Sequence, residues 1–100
     1  METDAVKRLK RKLTIETLWI YVIAVLKKHG ALHGYGVKKR IKEEFYFNPA
    51  TITTYTVLYR MEREGLIEKA ESNTYKVTEK GIKEYEKAKQ FIKNTLEALP

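Results

Sequence analysis

The sequence predicts a mainly α fold with one small β-hairpin (α+β), and three observations carry that expectation. Apolar residues recur at helical spacing in separate segments between about Thr14 and Leu99. The stretch Asn48–Gly65 carries helix-boundary residues at both ends. Two short runs that tolerate an extended chain then flank Ser72-Asn73.

The chain has 100 residues, enough for one domain with at most an extra helix. Apolar residues make up 43%, adequate for a folded core, although a chain of this size gains from dimerisation. The net charge of +7 points to a polyanionic partner, nucleic acid or an acidic membrane surface. Absence of cysteine excludes a disulfide framework and thiolate chemistry. No apolar signal core opens the chain, and the longest apolar run, Leu18–Leu26, is too short to span a membrane; the expected location is cytoplasmic. Abundant Lys, Glu, Ile and Tyr beside a single glutamine suit a thermophile.

Residues 1–12 crowd Lys7, Arg8, Lys10, Arg11 and Lys12 together and read as a basic N-terminal arm. Thr14 can cap a first helix over Thr14–His29, with Glu16 near its positive end and Gly30 as its stop. That helix is apolar on nearly every side, so part of it is expected to meet a second subunit. Ala31–Leu32 forms an extended connector, and His33 stands where a cap would be. The second helix, about Gly34–Glu44, turns Tyr35, Val37 and Ile41 inward and Lys38, Lys39, Arg40 and Lys42 outward. Asn48 can cap the third, and Pro49 suits its first position. Leu58 and Met61 face inward, with Tyr55 or Thr54 on the same face one turn earlier; Thr53, Thr56, Arg60 and Arg63 lie opposite, with Thr51 and Thr54 at the margins near the helix start.

Leu66–Glu71 and Thr74–Thr78 form a hairpin across a two-residue connection, Ser72-Asn73. Thr78 caps the last helix, about Glu79–Leu99. Ile82, Tyr85, Ile92, Leu96 and Leu99 form a coiled-coil-like stripe broken at Lys89. Exposed in a monomer, that stripe would dimerise; the alternative is that it folds back on its own core.

A basic helix, a short connection, a second helix and a wing is the order of a winged helix-turn-helix. The chain then divides into a basic arm (1–12), a winged-helix domain (13–78) and a C-terminal dimerisation helix (79–100). Asn48–Glu64 would enter a major groove of double-stranded DNA. Thr51, Thr53 and Thr54 would offer hydroxyls and methyls to base edges, with Thr56 on the same helix. Arg60 and Arg63, further along, would hold phosphates. Lys38, Lys39, Lys42, Asn73 and Lys76 would add backbone contacts. Leu18, Trp19 and Val22 with Tyr85, Ile92, Leu96 and Leu99 would form the homodimer interface.

Three words in this order carry a family resemblance. Leu32-His33-Gly34-Tyr35 resembles the "LHGYE" signature at the second helix of PadR-like transcriptional regulators. Tyr55 and Val57–Ile67 resemble their "YpaLrrLeeeGLi" segment, and Tyr75–Gly81 their "YrLTekG". The resemblance covers about residues 13–90. It implies homodimers made by the first and last helices, repression of transcription, and in some members a small hydrophobic effector bound between subunits. Thr56 stands where the family usually has proline, and the wing lacks the longer basic loop. Trp19 and Tyr21 would be the aromatics near such an effector, although aromatics at helical spacing more often build core.

No glycine-rich phosphate loop and no histidine beside paired carboxylates marks an enzyme, and no cofactor is expected. His29 and His33 are separated by the helix-ending Gly30, so they do not share a helical face as metal ligands would. The competing reading is a winged-helix protein-interaction module that binds no DNA.

Overall fold

Five helices and one hairpin succeed one another in a computed structural model that describes residues 1–100. They are α1 (Asp4–Lys12), α2 (Leu18–His29), α3 (Gly34–Phe45), α4 (Thr51–Arg63), β1 (Ile67–Ala70), β2 (Thr74–Val77) and α5 (Glu79–Ala98). The expected mainly α fold with a small hairpin is the one observed.

The apolar segment of α2 dictates the centre. Leu18, Val22, Ile23, Val25 and Leu26 are at most 2% exposed. Val37 and Ile41 of α3, Leu58 and Met61 of α4, and Leu66 and Ile67 beside the hairpin join them in one core. Burying each such side chain contributes about 1.5–3 kcal/mol, which is why α2 sits in the middle. Leu18 and Val22 are therefore core residues of one chain, and not the interface residues that the sequence suggests: α3, α4 and the hairpin cover them. Tyr35 also departs from expectation, lying 69% exposed on the first turn of α3.

Helix boundaries are set by local hydrogen bonding. The N-terminal residues are a helix, not a loose arm: Thr3 accepts from the Val6 amide at 3.3 Å, Asp4 opens the helix and Lys10, Arg11 and Lys12 close it. Each charge matches the helix dipole. Thr14 does not cap α2; its hydroxyl donates to the Lys10 carbonyl at 2.6 Å. A 3₁₀ turn, Ile15–Thr17, intervenes, and α2 starts at Leu18. Asn48 does not cap α4, because its side-chain oxygen accepts from Lys38 Nζ at 2.8 Å. Pro49 is buried before the helix, and α4 starts at Thr51 behind Ala50.

Side-chain ties lock α2 to α3 and to the turn that leads into α4. The Tyr21 ring meets Phe45 and Phe47 edge-on, with centroids 4.9 and 5.0 Å away. Its hydroxyl donates to the Leu13 carbonyl, and burial pushes the phenol pKa up. Tyr21 thus belongs to packing between α2 and the α3–α4 turn. At the far end of α2, His29 Nε2 lies 2.5 Å from Glu44 of α3, and Lys28 Nζ 3.2 Å from the same carboxylate. The His29 hydrogen bond, helped by Lys28, holds the Glu44 pKa below its ordinary value against partial desolvation.

The hairpin pairs Ile67 with Val77 and Ala70 with Thr74. Its connection has three residues, Glu71–Asn73, where the sequence suggested two; Ser72 and Asn73 both take positive φ, 56° and 60°. A bridge to the α2–α3 connector fixes it: Tyr75 donates to Leu32 at 2.8 Å and Leu32 donates back at 3.1 Å.

Thr78 caps α5 as expected. Its oxygen accepts from the Gly81 amide at 3.0 Å, and its hydroxyl donates to the Gly65 carbonyl at 2.6 Å. Gly81 is required here, because an added Cβ would come within 2.1 Å of the Leu66 carbonyl oxygen. Ile82 and Tyr85 then pack against the core. Beyond Ala88 every α5 residue is exposed, and the molecule extends 46 Å along its longest axis.

Candidate nucleic-acid interface

The surface most suited to a polyanion is built on α4. Its back face carries Thr54, Leu58 and Met61, all within 1% of full burial. Thr54 is consequently withdrawn from the base-reading set: it shares the spacing of Leu58, and its hydroxyl donates to the Ala50 carbonyl at 2.9 Å. The opposite face runs along the i, i+4, i+7, i+11 rows of one helix and consists of Ile52, Thr56, Tyr59 and Arg63, all exposed. Arg63 lies 5.7 Å above the Tyr59 ring. This contact keeps the guanidinium near the helix while leaving its donors outward.

Two flanks complete the face. On one side Tyr55 lies against the start of α3. Gly34 makes that approach feasible, since a Cβ there would stand 2.5 Å from the Tyr55 ring. Thr51 is exposed at the helix start. On the other side Thr53 is half-buried, and Arg60 lines an open cleft of about 870 Å³ with Trp19, Ile15 and Lys80. Trp19 is half-buried, so it is a cleft wall as much as a core residue. Glu16, Glu64 and Glu84 also line that cleft, so it is charged as well as apolar.

The supporting cations divide in two. Lys39 and Lys42 are exposed on α3, whereas Lys38 is half-buried and already bonded to Asn48 in the helix-turn-helix connection. In the wing, Asn73 accepts from Lys69 at 3.2 Å, and Lys76 pairs with Glu68 at 3.4 Å. Both wing contacts are solvent-exposed and exchangeable for a phosphate at small cost.

The sequence reading missed Ile52, Tyr55 and Tyr59 as members of this surface. The signal was present: once Leu58 and Met61 define the inside, residues 52, 56, 59 and 63 are the outside by helical geometry alone. Of the expected dimer residues, Tyr85 is half-buried and flanked by Lys27 and Lys89, 5.7 and 5.3 Å from its ring centroid. Ile92, Leu96 and Leu99 stand exposed.

Residues 22–87, from the second turn of α2 into α5, match the transcriptional regulator PadR-like family. The chain belongs to this family. The PadR-like match spans the core except Leu18, the helix-turn-helix, the wing and the Thr78 cap. A solved structure of a transcriptional regulator from Clostridium thermocellum has the same fold, with a TM-score of 0.73 and 21% sequence identity. The alignment covers 99% of this chain and 95% of that one. No protein of curated function matches the sequence. No helix is long and apolar enough to cross a membrane.

Proposed function

We propose that this PadR-like regulator is a homodimer that binds a palindromic site in double-stranded DNA and represses transcription. The observation that carries this reading is the two-sided character of α4. Its back is fixed in the core, while Thr51, Ile52, Thr56, Tyr59 and Arg63 stand free on its front. A helix so held can enter a major groove without losing its own packing. Thr51 and the rim residue Thr53 reach base edges. Arg60 and Arg63 hold phosphates, joined by Lys39, Lys42, Lys76 and Asn73, while Lys38 sets the turn. The partner subunit covers the distal apolar stripe of α5, Ile92, Leu96 and Leu99, together with Val6, Leu9 and Leu13 at the other end of the chain. All six are exposed in the single chain. A small hydrophobic effector would reach α4 through the cleft beside Trp19, and a change in Trp19 fluorescence with planar hydrophobic compounds tests that point.

Selection of bound sites from random duplex DNA, then a salt titration, tests the main proposal. The expected result is a two-fold symmetric site with half-sites about one helical turn apart. With about 6–10 phosphate contacts per dimer, affinity falls by about 10³–10⁵ between 50 and 200 mM salt. Absence of duplex binding at low salt overturns the proposal and favours the protein-interaction module.

A further inference from the structure

One aliphatic side chain on the front of α4 stands at the rim of the cleft beside Trp19. Ile52 is 82% exposed, on the first turn of the helix. The other exposed large aliphatic residues all lie toward the chain ends: Met1, Val6, Leu9 and Leu13, then Ile92, Leu96 and Leu99. Ile52 is the one such residue in the middle of the chain, on the α4 front with Thr56 and Tyr59 and on the rim of the cleft that Ile15 and Trp19 also line. Its β-branch restricts χ1, so it is presented stiffly and loses little freedom on contact.

The neighbouring turn reinforces this character. Thr56 comes one turn later and is exposed, and its hydroxyl donates to the Ile52 carbonyl at 2.9 Å. That hydrogen is committed within the helix. What Thr56 offers outward is a methyl and an acceptor oxygen. The front of α4 therefore presents two adjacent aliphatic groups, Ile52 and the Thr56 methyl.

We infer that Ile52, with the Thr56 methyl, reads a C5-methyl group on a pyrimidine in the major groove. This inference rests on the DNA-binding reading above and names the chemistry by which that site discriminates. The major groove displays one apolar group on an unmodified base pair, the thymine methyl; a 5-methylcytosine displays the same group. Ile52 lies in the first turn, where side chains reach base edges.

The experiment uses the full chain and duplexes selected from random DNA, resynthesised with deoxyuridine in place of each half-site thymine in turn. One position in each half-site is expected to weaken binding by about fourfold per lost methyl, about 15-fold for the pair of half-sites. Ile52→Ala is expected to bind the thymine and deoxyuridine duplexes alike. Cytosine and 5-methylcytosine at the same position distinguish the two sources of the methyl. A 5-methylcytosine that restores binding where thymine is absent supports methyl reading as such. Equal affinity of the native chain for all thymine and deoxyuridine duplexes overturns the inference and leaves the DNA reading intact. An Ile52→Ala chain that keeps its methyl dependence but changes its association state also overturns it, since Ile52 then serves the dimer. Failure of the native chain to bind any selected duplex overturns both.

Discussion

Helix α4 and the distal half of α5 both present apolar side chains to solvent, and they do so for opposite reasons. Behind Ile52 and Tyr59 stands a fully buried face, Thr54, Leu58 and Met61. Behind Phe91 and Leu96, 71% and 70% exposed, stands nothing of this chain. The first surface is held in place before any partner arrives. The second is a helix with no packing from its own chain, which the proposed partner subunit would supply. Exposure alone does not separate these cases; the burial of the opposite face does. If α4 reads DNA as proposed, its surface gains from being pre-organised, because ordering it on binding would cost affinity, whereas the proposed docking helix can order against a second copy.

Substitution behind the first surface, set against substitution on the second, tests this contrast most severely. Leu58→Ala empties part of the core under α4 and is expected to cost about 2–5 kcal/mol of folding stability, measured by urea unfolding. Leu96→Ala is expected to leave single-chain stability within about 0.5 kcal/mol. Comparable losses for the two would show that distal α5 is packed in the folded chain. Next in size, the double substitution Ile92→Lys with Leu96→Lys is expected to weaken self-association by at least about 100-fold, read by sedimentation equilibrium. An unchanged association constant would remove α5 from the interface.

The same contrast explains what the sequence could show. Helix spacing, the Gly65 stop and the Thr78 cap were all legible, because each depends on residues within a turn or two. Gly65 does take a positive φ of 78°, and Thr78 does cap. The failures are competitions between nearby partners. Asn48 is a good capping residue, but Lys38, ten positions earlier, holds its oxygen. Thr14 turned its hydroxyl back to Lys10 instead of forward. In the site, helical spacing left Thr54 between the inner face and the margin of the outer one. Tertiary packing buries Thr54 and leaves Thr51 open, while the helix itself commits the Thr56 hydroxyl to the Ile52 carbonyl one turn back. Leu18 and Val22 looked like interface because an all-apolar helix needs cover; the chain itself supplies it.

A smaller effect tests the junction where the end of α4 meets the start of α5, the helix that carries the distal stripe. Thr78→Val keeps the shape of the side chain but loses both of its hydrogen bonds, leaving the Gly65 carbonyl and the Gly81 amide without their partner. About 1–2 kcal/mol of stability is expected to go with them. If the junction transmits between the reading helix and the docking helix, hydrogen exchange should rise at both Leu66 and Ile82. Exchange confined to α5 would mean that α4 is held by the core alone.

The smallest expected effect concerns acid. Glu44 joins α3, which backs α4, to His29 and Lys28 of α2. Its pKa is lowered in the folded chain, chiefly by the His29 hydrogen bond. A carboxylate lowered on folding contributes stability above its unfolded pKa and loses it as pH falls through the folded value. The contribution is therefore complete above about pH 4.3, the ordinary glutamate value, and fades at more acid pH. Glu44→Gln should lower the urea midpoint at neutral pH and bring it toward that of the native chain in acid. Because the contact ties α2 to α3 and touches nothing in distal α5, the variant should leave self-association unchanged. A shift in self-association instead would mean that the docking helix depends on how the base of the reading helix is set, and the two regions would no longer be separable.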